Sequence, residues 1–357
     1  MAQGAIHESA AFRGYAESGV LVYEELIECG NLAIADAAMK CEAVFASHER
    51  AHVGISGGAD SDVMLDLCER VRQVQPIDIT YDFSDTGIEY AATKEHLDYL
   101  EDRYGVKIDR TRATKSIPLC CHQYGQPFVS KMVAHHLHTL QRHGFEWDDM
   151  PLALLKAKYP DAPVSTLRWW SNDYVGKTGI MTSYCIGRNK WLKEFIIENP
   201  PWFKISGKCC TYAKKGPADK KARDLGCDVR LIGTRKSEGG VRSLANRCFE
   251  AKDNGPDVYK PLYWLNDADK AEYCLAFGIR HSDCYEVWGF RRTGCVGCPF
   301  NRNVFDDLEV AAAYEPKMVN VAKKVFADAY EYTRMFREFK ADRKEPGQMR
   351  IDFDGAV

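Results

Sequence analysis

Short apolar runs that give way to apolar positions at helical spacing recur along this chain. His52-Val53-Gly54-Ile55 runs into Ser56-Gly57-Gly58-Ala59-Asp60-Ser61, and Val63, Met64, Leu65 and Leu67 then follow with helical periodicity. The pattern predicts a strand at 52–55, a loop at 56–61 and a helix after it. A second run, Ile77 to Phe83, leads into Ser84-Asp85-Thr86-Gly87 and a predicted helix from Ile88 to Tyr104. Val106-Lys107-Ile108 reads as a third strand, and Val229-Arg230-Leu231-Ile232 as another that opens into a loop bearing Arg235 and Arg242. Strands alternating with helices of this length imply an α/β fold, a parallel sheet with crossover helices. Ligands in such sheets sit at the carboxyl ends of the strands, where both the 56–61 loop and Asp85-Thr86-Gly87 fall.

The flanks follow a helical period. Leu21, Val22, Leu26, Leu32, Ile34, Ala38, Met39, Ala43 and Val44 predict a helical N-terminal extension over residues 1–50, packed on the sheet domain. A nucleotide-type domain is expected over 51–265, with an aromatic-rich insertion at about 145–204 that covers the site. A Cys-x-x-Cys segment follows at 266–302, beginning with a predicted helix at 267–277. The tail at 303–357 is helical to about 344, with Val304, Leu308, Ala312, Met318, Val321, Val325, Ala329, Tyr332 and Phe336 forming an apolar stripe. Such a stripe suits core packing or a subunit contact, so a homodimer is an expectation.

Composition narrows the class. In 357 residues, 45% are hydrophobic, enough for a sizeable core, and no apolar run approaches a membrane span. The first residues show neither a signal-peptide core nor an Arg-rich transit pattern, which makes the cytoplasm the expected compartment. A net charge of −3 gives no global attraction to nucleic acid, although Lys214, Lys215, Lys220 and Lys221 could form a local patch for a nucleic-acid acceptor. The 14 cysteines, without a secretion signal, favour thiol, metal or redox chemistry over a disulfide framework.

Two patterns carry candidate chemistry. In the 56–61 loop, glycines allow a sharp turn with exposed N–H groups, serines add hydroxyl donors, and the following helix presents its positive end. That combination suits a phosphate or pyrophosphate. The loop lacks the Gly-Lys-Ser/Thr ending of a Walker loop and the spacing of a dinucleotide fingerprint. The second pattern is Cys209-Cys210 together with Cys295-x-x-Cys298, able to supply four thiolates to zinc or to a [4Fe–4S] cluster. Adjacent cysteines favour the cluster, because its separate iron atoms can take neighbouring thiolates, and Lys214 and Lys215 would offset the thiolate charge. Cys120, Cys121 and Cys185 are competing ligand candidates. His135 and His138 share a helical face but have no acidic or cysteine partner at ligand spacing, so they read as ordinary surface or core histidines.

The Ser-Gly-Gly-x-Asp-Ser loop resembles that of the adenine-nucleotide α-hydrolase-like superfamily, with Ala59 where many sulfur-handling members have lysine. The ordered set of this loop, Asp85-Thr86-Gly87, Cys209-Cys210, Gly233-x-Arg235-x-x-Glu238-x-x-x-Arg242, Pro261-Leu262-x-Trp264 and Gly294-Cys295-x-x-Cys298 resembles the phosphoadenosine-phosphosulfate reductase family. The paired cysteines match its iron–sulfur branch, and Phe203 to Lys215 is closest to phage and mobile-element members. The resemblance implies a Rossmann-like adenine-nucleotide α-hydrolase fold. It implies that Ser56, Gly57, Gly58, Asp60 and Ser61 hold nucleotide phosphates and that Asp85 and Gly87 line the adenosine side. Arg235 and Arg242 would clamp phosphate or sulfate, and Glu238 would orient an arginine or help to hold Mg²⁺. Cys209, Cys210, Cys295 and Cys298 would ligate a [4Fe–4S] cluster.

The sequence departs from the reductases in one respect: no cysteine follows Cys298, whereas sulfonucleotide reductases attack with a C-terminal Glu-Cys-Gly cysteine. No catalytic residue is assigned. The expected reaction is therefore ATP-dependent, adenylylating sulfur transfer to an acceptor such as nucleic acid. Reduction of adenylyl or phosphoadenylyl sulfate to sulfite, and a non-catalytic nucleotide and cluster sensor, are the alternatives.

Overall fold

The computed structural model describes residues 21–343, apart from 176–178, 180, 183, 240, 241, 243 and 244. Residues 1–20 of the expected N-terminal extension and 344–357 of the expected tail lie outside the described residues. Six strands, β1 (Arg50–Ile55), β2 (Asp78–Asp85), β3 (Ile108–Arg112), β4 (Val229–Ile232), β5 (Phe249–Glu250) and β6 (Asp257–Tyr259), form one sheet in the order β3-β2-β1-β4-β6-β5. All pairs are parallel except β5 with β6. This is a Rossmann-like α/β sheet, and chain order reverses between β1 and β4. That reversal leaves a crevice at the carboxyl edge, flanked by the loop after β1 and the loop after β4.

β1 is central and covered on both faces, so Ala51, His52 and Val53 are all fully buried instead of alternating. The third strand begins where the expected 106–108 strand ends: Ile108 alone of that trio enters it, and the strand continues through Thr111 to Arg112. Tertiary pairing with β2 decides this, because the polar residues 109–112 carry no apolar alternation. Short β5 and β6 were likewise invisible to periodicity.

The helix Ala59–Val74 follows the phosphate-type loop and lies at the centre of the first core cluster. It buries charged groups as well, each with a partner. Asp66 accepts from Arg70 Nε at 2.7 Å, from Tyr273 at 2.7 Å and from Tyr104 at 3.0 Å, while Arg70 also pairs with Glu25 at 2.6 Å. This network ties the N-terminal helix Glu24–Glu28 and the helix Asp267–Ala276 to the loop-bearing helix. A second N-terminal helix, Leu32–Ala46, contributes Ile34, Ala38, Cys41 and Phe45 to the same core.

The aromatic stretch is an excursion from the sheet, and its ends lie outside the bounds expected from composition. Gln126 and Ile205 form a parallel bridge, with Gln126 N–H donating to Lys204 O at 2.8 Å and Ser206 N–H to Gln126 O at 2.9 Å. Between those points Phe128, Trp169, Trp170 and Phe195 build a separate core with Tyr332, Phe336 and Phe339 of the tail. Closing the excursion on itself delivers Lys208-Cys209-Cys210 directly back to the sheet domain.

The tail is three helices, Val304–Tyr314, Pro316–Val325 and Ala327–Asp342, where periodicity alone suggested a continuous stripe. Pro316 explains the first break, since proline opens a helix and holds the preceding residue out of helical geometry. Val304, Leu308, Ala329, Tyr332 and Phe336 are buried within the chain, whereas Val321 is exposed. Among the described residues no helix is long and apolar enough to cross a membrane.

Candidate functional site at the carboxyl edge of the sheet

The loop after β1 turns at Gly57, whose φ of +65° is strained for any residue with a side chain. A Cβ there would also lie 2.5 Å from Thr93 Cγ2. Gly58 N–H donates to Ser61 Oγ at 3.1 Å and to Ser56 Oγ at 3.3 Å, and Ser61 Oγ donates to Gly58 O at 2.7 Å. Ser56, Gly58 and Ser61 therefore form one hydrogen-bonded turn at the N-terminus of the Ala59–Val74 helix. Ala59 N–H, an otherwise unpaired helix-end donor, reaches Tyr285 Oη at 3.2 Å.

The predicted arginines part company here. Arg235 is buried, and its guanidinium meets Asp60 at 2.9 Å, Asp267 at 2.7 Å and Ser237 Oγ at 2.8 Å. Lys270 adds a second cation 3.2 Å from Asp60. Asp60 and Arg235 thus brace the loop-bearing helix against the 265–270 segment. Arg242 is less enclosed: it pairs with Glu238, and burial and then the nearby Arg292 both hold its pKa below the usual arginine range. Paired guanidinium groups are the chemistry that suits an anion. Glu238 also accepts from Arg235 N–H at 3.1 Å, which fixes the loop between these two arginines.

At the end of β2, Asp85 accepts from Gly87 N–H at 3.0 Å and lies 3.6 Å from Lys94. Burial works to raise its pKa, but the Gly87 N–H, Glu89 and Lys94 hold it below the usual carboxylate range. Four residues after Asp85, the buried Glu89 accepts from Thr86 Oγ1 and N–H, and burial raises its pKa. Glu89 forms an antiparallel bridge with Cys295, Val296 N–H donates to Ile88 O at 2.9 Å, and Thr86 Oγ1 lies 3.8 Å from Cys295 Sγ. The Asp85-Thr86-Gly87 loop and the Cys-x-x-Cys turn are therefore stitched together. Gly297 permits that turn: its φ is +60° and a Cβ would strike Tyr330 Oη, which donates to Gly297 O.

Cys209 and Cys210 lie on a helical turn, Lys208–Cys210, continued by a π-helical turn, Thr211–Lys215, and the helix Gly216–Asp224. π turns place side chains off the usual helical register and recur at functional sites. Cys209 is raised first by a hydrogen bond with Cys121, which outweighs the lowering by Cys210, and further by burial. Cys210 is raised by Cys209 and by burial. Burial, Cys295 and Cys210 push Cys298 up to about 12. Lys214 is held above the ordinary lysine range chiefly by Cys295, against the effect of burial, with Glu89, Cys210 and Cys298 adding to it. Cys210, Cys295 and Cys298 thus lie within electrostatic reach of Lys214, and Cys209 adjoins them together with Cys121, a competing candidate. Cys185 instead donates to Tyr174 O at 3.3 Å in the aromatic excursion.

Among the described residues, no group of three or more His, Cys, Asp or Glu side chains is arranged to hold a metal ion. The thiols are in contact or electrostatic reach, not in a closed set of three. The chemistry of the donors, one buried and three partly buried thiols beside the partly buried Lys214, suits a thiolate-ligated iron–sulfur group.

The lysines at 214–221 do not make one surface. Lys214 faces the thiols, Lys220 pairs with Asp224, and Lys221 Nζ meets Asp82 at 2.9 Å, Asp109 at 2.8 Å and Thr111 Oγ1 at 3.0 Å. Lys221 anchors the helix that follows the Cys-Cys pair to β2 and β3, beside the buried His52 and Asp82. Among the histidines, His136 stacks on Trp169 with centroids 4.7 Å apart, and burial pushes its pKa down to about 4. Sequence reading did not single out Glu89, Tyr285, Arg292 or Thr293. Their places depend on the fold, and only the position of Arg292 and Thr293 just before Cys295 offered a clue.

Fold and site together define a Rossmann-like α/β protein with a phosphate-type loop and a thiol centre side by side at the carboxyl edge of its sheet. No family model matches the chain. It is 24% identical over 279 residues to an uncharacterized 37.8 kDa protein of Escherichia phage 186, covering 76% of this chain and 73% of that protein. Among solved structures it is similar to phosphoadenylyl-sulfate reductase from Candida auris, at 13% identity and a TM-score of 0.40, over 76% of this chain and 91% of that one. It is similar also to the U34-tRNA thiolase NcsA from Methanococcus maripaludis with its [4Fe-4S] cluster, at 13% identity and 0.36, over 91% and 85%. A third is the NH3-dependent NAD synthetase from Campylobacter jejuni, at 10% and 0.29, over 88% and 98%.

Proposed function

We propose that this chain is an enzyme of the phosphoadenosine-phosphosulfate reductase type that binds an adenine nucleotide and drives sulfur transfer to an acceptor. The observation that carries this reading is the bridge between Glu89 and Cys295, which brings the thiol centre onto the loop that ends β2, beside the phosphate loop that ends β1. A nucleotide held on the Ser56–Ser61 turn at the topological switch point would reach both.

In this reading the Ser56 and Ser61 hydroxyls and the N–H groups at the helix N-terminus hold the phosphates. Arg242 and Arg292 meet their remaining charge, with Glu238 orienting Arg242 and able to join Mg²⁺. An acceptor attacking the α-phosphate becomes adenylylated and releases pyrophosphate, whose growing charge the same donors stabilise. Cys209, Cys210, Cys295 and Cys298 hold a [4Fe–4S] cluster, with Lys214 balancing thiolate charge. Such a group would supply electron storage and a soft site for sulfur at that edge.

ATP-dependent transfer is favoured over sulfonucleotide reduction by the state of the thiols. A reductase needs a cysteine whose thiolate is accessible. Among the described residues near the site, Cys120 and Cys121 are buried, and Cys209, Cys210, Cys295 and Cys298 are committed to the cluster in this reading.

The test is anaerobic purification with iron, sulfide and bound-nucleotide analysis, followed by assays for pyrophosphate from ATP with candidate acceptors and for sulfite from adenylyl sulfate. Iron and sulfide lost in Cys295→Ser, with acceptor-dependent pyrophosphate, are the expected results. Robust sulfite would replace transfer by reduction. ATP binding without turnover on any acceptor would favour a sensor.

A further inference from the structure

At the Ser56–Ser61 turn the Ala59 N–H does not face open space. Tyr285 Oη accepts from Ala59 N–H at 3.2 Å and from Thr293 N–H at 3.0 Å, and shares a hydrogen bond with Thr293 Oγ1 at 3.1 Å. A Cβ built on Gly58 would lie 3.3 Å from Tyr285 Oη and 3.4 Å from Thr293 Oγ1, so both hydroxyls stand directly over the glycine turn. The same segment is fastened to the first turns of the helix once more, through His281 Nδ1 and Asp62 Oδ2 at 2.8 Å. Beyond Thr293, one residue separates it from Cys295 and the bridge to Glu89.

We propose that Tyr285 is a built-in competitor for phosphate at this turn and that its displacement transmits phosphate binding to the Cys295-x-x-Cys298 segment. The inference rests on the nucleotide reading above. A phosphate oxygen arriving at the Ala59 N–H must replace the Tyr285 hydroxyl, because one N–H cannot serve both at full strength. Once the hydroxyl leaves, Thr293 N–H loses its acceptor, and the segment carrying Arg292, Thr293 and Cys295 loses one fastening while keeping the bridge to Glu89 and the Val296–Ile88 hydrogen bond. Arg292 lies on the released segment, so the same movement carries positive charge towards the anion. By linkage, whatever group the cysteines hold alters phosphate affinity through the same segment, and to the same degree in reverse.

The experiment compares the full-length protein with Tyr285→Phe and Thr293→Val, using calorimetry with ATP and hydrogen–deuterium exchange at the Thr293 and Val296 amides. Removing the competing hydroxyl should tighten ATP binding about fivefold in Tyr285→Phe, with a smaller gain in Thr293→Val. ATP added to the unaltered protein should speed exchange at Thr293 and change it at Val296. Unchanged or weaker ATP binding in Tyr285→Phe would overturn the competitor, making Tyr285 a bystander or a phosphate contact. If ATP binds none of the proteins, the nucleotide reading falls, and the latch is judged on exchange alone. Faster exchange at both amides in Tyr285→Phe keeps the coupling, and a change confined to Thr293 overturns it.

Discussion

The phosphate-type loop and the thiol centre lie at the same edge of the sheet, yet they are built in opposite ways. Ser56, Gly58 and Ser61 are neighbours in the chain, and they satisfy one another through hydrogen bonds spanning two to five residues. The thiol centre collects Cys121, Cys209, Cys210, Cys295 and Cys298 from three separated segments, delivered by a closed excursion, a π turn and a bridge to β2's loop. A local site survives or fails with its own backbone geometry. An assembled site depends on anchors far from its ligating atoms.

The largest effect is expected at such an anchor. Lys221→Ala leaves Asp82, a fully buried carboxylate, with the buried His52 and with Thr111 as its partners among the described residues. Breaking a buried pair on one side costs about 3–5 kcal/mol, and the partial exposure of Lys221 puts the expectation at the low end, about 3 kcal/mol by denaturant unfolding. Iron and sulfide content should fall along with stability, because Lys221 secures the helix that follows Cys209-Cys210. ATP affinity should change little. If iron loading survives while stability drops, the thiol centre does not depend on this anchor.

Gly57→Ala attacks the other region. It combines a left-handed backbone with a clash against Thr93, and overpacking of this kind costs about 1–3 kcal/mol, to which the left-handed conformation adds about 1 kcal/mol. Calorimetry should show ATP binding abolished, while iron and sulfide stay at the level of the unaltered protein. Retained ATP affinity would mean that the turn is not the phosphate site.

The smallest effect concerns the link between the regions, His281 with Asp62. Burial works to lower the pKa of His281, but its hydrogen bond to Asp62, supported by Cys274, raises it from the ordinary 6.5 to about 10. A histidine that keeps its proton when folded contributes stability in full below pH 6.5, and the contribution is lost as pH rises from there through about 10. The melting-temperature advantage of the unaltered protein over His281→Gln should therefore shrink steadily between pH 7 and pH 10. An advantage that is constant over that range would show that His281 is not charged in the folded protein.

How much of this was legible beforehand follows the same division. The 56–61 turn and β1, β2 and β4 were readable because apolar runs and glycines act over a few residues. The trio at 106–108 misplaced β3, whose polar residues are recruited by pairing with β2. Arg235 and Arg242 were read as equivalent, being seven positions apart on one loop. Only packing shows that Asp60 and Asp267 occupy the first, while the second is left beside Arg292. The two cysteine pairs were visible in the sequence by their spacing, whereas the contact of Cys121 with Cys209, across the whole aromatic excursion, was not.

By itself, then, the amino-acid sequence determined the α/β alternation, the phosphate-type turn and the identity of the paired cysteines, since each rests on periodicity or on backbone chemistry confined to a few residues. Tertiary structure alone decided that Tyr285 and Thr293 stand over the turn, that Glu89 is stitched to Cys295, and that Lys214 faces the thiols while Lys221 faces Asp82. Those choices depend on which distant segments share a buried volume. In that volume each charge or hydroxyl must find a partner, and the partner it finds is set by the closure of the whole sheet and its excursion.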